Sequence, residues 1–147
     1  MLARLQLAGV DVGPRWDAVA KIVREQSGGS VLAFVDAHYA LALGEVPALY
    51  GQGRTGRIHA EFGRALCEGV VAWRAGDYGR AAELLAPARA PLAKVGGSHA
   101  QRDLFILILL DAALRSGKKS LAQSVLSERA KQRPGNVLPE RLTLVKE

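Results

Sequence analysis

Apolar residues in this chain recur every three or four positions, and no stretch alternates convincingly with period two. That spacing predicts a helix over Leu2–Ala8, closed by Gly9, and a second opened by Gly13-Pro14 with Trp16, Val19 or Ala20, and Val23 on its apolar face. Ser27-Gly28-Gly29 separates it from a third helix, about Ser30 to Leu43, which Gly44 ends. The segment from Glu45 to Gly56 is short and glycine-rich, enough for one or two helical turns and a loop. A long helix is predicted from about Arg57 to Ala75, with Phe62, Leu66, Val70 and Trp73 as its core stripe. Its partner begins at Asp77 and bends or ends near Pro87 and Pro91, each of which removes a backbone hydrogen bond. After Gly96-Gly97 a helix runs from about Ser98 to Ser116. Its run Leu104–Leu110 is short enough for a buried strand, but the continuation through Arg115 makes it a helix buried nearly all round. Lys118 to Arg133 follows, then an amphipathic piece carrying Leu138, Leu142 and Val145.

The sharpest local signal is Gly76-Asp77-Tyr78-Gly79-Arg80-Ala81-Ala82-Glu83-Leu84-Leu85. Gly76 permits a tight corner, Asp77 caps the next helix, and Tyr78, Ala81 and Leu85 share one face of it. Ala81 lets the partner helix approach closely. Gly44, Gly76 and Gly117 stand 32 and 41 residues apart, and Ala122 and Leu126 follow Gly117 as Ala81 and Leu85 follow Gly76. Tetratricopeptide repeats have a period of about 34 residues, so the first interval fits and the second carries an insertion over Arg89–Gly97. The expected fold is all-α: a tetratricopeptide-like α-α superhelix of antiparallel helical hairpins, forming one domain over 1–147. It comprises a degenerate repeat over 30–56, repeats over about 57–95 and 98–134, and a C-terminal capping helix over 136–147.

Two further segments narrow the likeness. Val10-Asp11-Val12-Gly13-Pro14-Arg15-Trp16 and Gly96-Gly97-Ser98-His99-Ala100-Gln101-Arg102-Asp103-Leu104-Phe105, with Phe34-Val35-Asp36-Ala37-His38 and Gly76-Asp77-Tyr78 in the same order, resemble the C-terminal half of the tetratricopeptide repeat protein 38-like family. The resemblance spans most of the chain. It implies an all-α repeat fold and no settled activity. Family members usually carry a further helical half before the matching part, so this chain reads as a short form or a fragment.

Composition adds bounds. Hydrophobic residues make up 49% of the 147 and aromatics only 5%, so the core is built from Ala, Leu and Val. The formal net charge of +6 permits anionic partners. Its lysines and arginines are spread along the chain, with short clusters only at Lys118-Lys119 and Arg129–Arg133, and no base-stacking aromatics are interleaved with them. A solvated basic surface therefore outweighs a nucleic-acid footprint. Cys67 is alone, which points to a reducing compartment, and the longest apolar run is far short of the ~20 residues that span a bilayer. The expected setting is cytoplasmic, with no membrane association.

Candidate chemistry is sparse. Ser98-His99-Ala100-Gln101 reads first as a capping box, with Asp103 at the positive end of the helix dipole. A second reading uses His99, Arg102 and Asp103, with Arg89 and His38, to hold a carboxylate or phosphate at a helix N-terminus. His38, His59 and His99 lack the spacing of a known zinc motif, Cys67 reads as a buried thiol, and Gly51–Gly56 lacks the strand and lysine of a phosphate loop. No catalytic residue, metal or cofactor is expected. The leading expectation is a non-enzymatic scaffold for a protein or peptide partner, with binding residues drawn from His38, Arg64, Glu68, Arg89, His99, Arg102 and Asp103. The alternative is a small-molecule binding or hydrolase-like domain centred on His99, Arg102 and Asp103. Leu2, Leu5 and Leu7, with Arg4 as the only nearby charge, suggest an uncapped end that buries itself in a homodimer.

Overall fold

Gly44, Gly76 and Gly117 all adopt left-handed backbone angles, with φ of 73°, 84° and 72°. Side chains other than glycine rarely adopt such angles, and here they turn the chain after the helices that end at Leu43, Arg74 and Arg115. The computed structural model of the protein describes residues 1–26, 32–47, 56–57, 62–135, 137–139 and 142–143. Each principal element among them is a helix: α1 (Leu2–Leu7), α2 (Arg15–Gln26), α3 (Ala33–Leu43), α4 (Arg64–Arg74), α5 (Tyr78–Ala88), a 3-10 helix (Ala90–Val95), α6 (His99–Arg115) and α7 (Lys119–Gln132). The expected break at Ser27–Gly29, all but the last residue of the Gly51–Gly56 loop, His59 and most of the capping piece lie outside the described residues. Of that piece, Leu138 and Leu142 pack on the core.

From α2 to α7 each helix packs on the next, and α4 also touches α6. The α4–α5 crossing is the tightest. A Cβ on Gly69 would lie 2.6 Å from the Leu85 side chain, and Ala81 is fully buried beside Leu85 and the Leu66–Val70–Trp73 stripe. Asp77 caps α5 by accepting a hydrogen bond from the Arg80 backbone N–H at 3.1 Å. Pro87 lies in the last turn of α5 and Pro91 at the start of the 3-10 helix, so the two prolines mark the bend expected of them.

The run Leu104–Leu110 is helical and buried on all sides but Ile106. A helix with so little polar contrast has no amphipathic face to set its rotation. Asp111 supplies one: the buried Trp73 indole donates to its carboxylate at 2.7 Å, and Arg115 Nε donates to the other oxygen at 3.1 Å. Arg115 also donates to the Tyr78 hydroxyl at 3.1 Å while lying 4.8 Å from the Tyr78 ring centroid. One carboxylate thereby joins α4, α5 and α6.

The N-terminal end differs from the expectation. α1 packs on α6, burying Ala3 and Leu7, and Arg4 donates to the Ala100 carbonyl at 2.7 Å. Leu7 is spent within the chain's own core and Leu2 packs partly against it, so Leu5 and Met1 are what this helix leaves exposed. The apolar reason for pairing two copies at this end is correspondingly smaller.

Ala81→Leu forces a larger side chain into the α4–α5 crossing, where Gly69 leaves no slack. It is expected to cost about 1–3 kcal/mol, read from urea unfolding. A variant with an unchanged midpoint would show that the two helices do not meet at Ala81.

Candidate functional site

Ser98 starts α6 with a complete capping box. Its hydroxyl accepts from the Gln101 backbone N–H at 3.3 Å, and the Gln101 side chain accepts from the Ser98 N–H at 2.8 Å. This cap places His99 and Arg102 on the first turn of α6 and Asp103 just beyond it, and the three part company. His99 is exposed, and Arg102 turns back to donate to the carbonyls of Gly96 and Gly97. Asp103 is buried against α7.

Asp103 accepts a two-pronged bond from the equally buried Arg129, at 2.8 and 3.1 Å. Arg133 adds a bond at 3.1 Å, and Arg4 stands 3.8 Å away. The paired geometry suits a guanidinium, whose fork matches a carboxylate. On the same side of the molecule, Arg89 grips both oxygens of Glu128 at 3.1 Å each and donates to the Ala86 carbonyl at 2.9 Å. Those bonds hold the Glu128 carboxyl below the usual carboxylate range. Between these pairs lies a cleft of about 510 Å³, walled by the 3-10 helix, α6 and α7 and lined by Arg89, His99, Arg102, Asp103, Glu128, Arg129 and Arg133 with Leu92, Ile106 and Val125.

Of the candidate residues named from sequence, Arg89, His99, Arg102 and Asp103 therefore meet around one cleft. His38, Arg64 and Glu68 do not line it. The His38 ring lies between Phe34 and Phe105, tilted against the first and edge-on to the second with centroids 4.3 and 5.1 Å away, and its Nδ1–H donates to the Phe34 carbonyl at 2.9 Å. Burial holds its imidazole below the ordinary value. Arg64 and Arg80 flank Glu68 at 3.9 and 3.8 Å on the exposed side of α4 and α5. Cys67 is fully buried, and burial, with Asp36 adding to it, pushes its thiol up to about 12, where no useful fraction is thiolate. Among the described residues, no group of His, Cys, Asp or Glu side chains converges to hold a metal.

Sequence reading missed Glu128, Arg129 and Arg133. The basic run Arg129–Arg133 looked like solvated surface, and Lys131 is indeed exposed. Yet Ala122, Val125 and Arg129 are the buried residues of α7, at steps of three and four, so Arg129 continues an apolar stripe. A charge in that register needs a buried partner, and the Asp103 carboxylate on the preceding helix supplies it.

The chain matches no protein-family model and no solved structure. No described helix is long and apolar enough to cross a membrane.

Asp103→Asn keeps the volume but strands the buried Arg129 charge. It is expected to destabilise by about 3–5 kcal/mol, measured by chemical unfolding; a loss no larger than that of an exposed substitution would mean the pair is not buried in solution. His38 adds a pH dependence of definite sign. The unfolded chain takes up a proton near the ordinary 6.5, whereas the folded ring resists it to a lower pH. His38 therefore contributes its full stability above 6.5 and loses it as pH falls below that value. The melting temperature should drop between about pH 7.5 and about pH 5.5 by more in the parent than in His38→Leu. Equal drops would remove His38 as the cause.

Proposed function

We propose that this chain is a tetratricopeptide-like interaction module with no chemistry of its own, which holds a protein or peptide partner against α4 and α6. The observation that carries the reading is the contact between those two helices. In stacked hairpins the first helix of each unit lies beside the first helix of the next, and together they line one face. Here α4–α5 and α6–α7 are consecutive hairpins with left-handed glycine corners, and α4 touches α6 directly. Fully buried Ala81 and Ala122 occupy equivalent places after the two corners. The Gly96–Phe105 stretch, on which the likeness to the tetratricopeptide repeat protein 38-like family rests, forms the start of α6 in this reading. Arg64 and the half-buried Glu68 form a mixed-charge pair on α4, with Arg80 of α5 beside it, and this reading takes that pair as the polar part of the binding surface. A second copy of the chain remains one of the partners this reading admits.

A photoreactive amino acid placed at Arg64 or Glu68 is expected to capture the same partner in cells, whereas one at the exposed Gln123 on α7 should not. Capture at all three positions alike, or only at Gln123, would remove the assignment of the α4–α6 face.

A further inference from the structure

The cleft between the 3-10 helix, α6 and α7 carries more positive charge than its own residues neutralise. Four arginines line it, Arg89, Arg102, Arg129 and Arg133, against two carboxylates, Asp103 and Glu128, leaving an excess of two positive charges among the described residues. At the buried Asp103, Arg129 and Arg133 both bond and Arg4 stands 3.8 Å away, so several guanidiniums gather at this end of the cleft. Like charges gathered at a half-buried site repel strongly, because the surrounding dielectric is low.

We propose that this cleft binds a small organic phosphate, whose dianionic group lies against Arg102 and Arg133 and whose carbon part rests on Ile106 and Ala93. A phosphate monoester carries a charge of about −1.5 to −2 at neutral pH, which matches the excess. Arg133 gives one nitrogen to Asp103 and is 26% exposed, so its remaining donors reach solvent. Arg102 is anchored by one nitrogen to the carbonyls of Gly96 and Gly97, which orders its guanidinium before any ligand arrives. The volume of about 510 Å³ suits a small molecule. Among the described residues no Phe, Tyr or Trp lines the cleft, so the large aromatic platforms on which nucleic-acid bases stack best are not part of its described wall. The inference is independent of the partner-binding face on α4 and α6.

Titration calorimetry on the whole chain at fixed ionic strength tests it, with phenyl phosphate as the probe. Saturable one-to-one binding is expected, and Arg133→Gln should weaken it about tenfold. Because Arg133 also bonds Asp103, Ala93→Glu provides a second route to the same loss without touching that pair. Lys131→Gln, which removes an exposed charge that does not line the cleft, should leave binding unchanged. Succinate should bind about tenfold more weakly than phenyl phosphate. The proposal is overturned by absence of saturation at about 10 mM probe, by an equal loss in Lys131→Gln, or by equal binding of succinate. A short phosphoserine peptide binding more tightly than phenyl phosphate would also overturn it, by assigning the site to a phosphorylated protein.

Discussion

The hydrogen bond from the Trp73 indole to the Asp111 carboxylate sets how α6 is turned, and α6 is the helix against which α1, α4, α5 and α7 all pack. Apolar packing alone is nearly indifferent to rotation of a helix whose surface is apolar almost all round. A buried carboxylate is not, since turning it away from the Trp73 N–H forfeits that hydrogen bond while the oxygen stays out of water. Asp103 repeats the device two turns earlier on another side of the helix, facing Arg129. The two acids thus act as locating pins. One registers α6 against the α4–α5 hairpin, and the other registers it against α7.

That arrangement explains what could and could not be read in the residues. The helices, the three glycine corners, the Asp77 and Ser98 caps and the buried stripe Leu66–Val70–Trp73 follow from local rules, because each involves residues a few positions apart. The pairing of Asp103 with Arg129 spans 26 residues and exists only once α6 and α7 lie side by side. Asp103 had a sufficient local explanation as a first-turn acid beside a helix dipole, and that explanation concealed its buried role. His38 shows the reverse case. It looked like a polar candidate, but the two aromatic rings that enclose it come from Phe34, one turn back, and Phe105, on a distant helix.

The groups that most often carry chemistry are, in the described residues, turned to structural ends. Cys67 is sealed in the α4 face of the core, and Arg74 caps the C-terminal carbonyls of α3 at Leu41 and Ala42. The cleft beside α7 differs in kind. Its arginines bond to carboxylates and carbonyls, yet their number exceeds the negative charge of the described residues that line it with them.

The seating of α1 on α6 has a consequence for how the molecule comes apart. An open array of hairpins, each touching only its neighbours, can unzip gradually from either end, because losing the last unit leaves the others intact. Here the first helix closes onto the sixth, through the Arg4–Ala100 bond and the buried Ala3 and Leu7. Arg74 on α4 lies 4.6 Å from the Trp16 ring on α2, bridging across α3 in the same way. These clasps turn an array with two loose ends into a ring of mutual dependencies. The order of α1 is thereby tied to that of α6, through a contact that joins residues 96 positions apart along the chain.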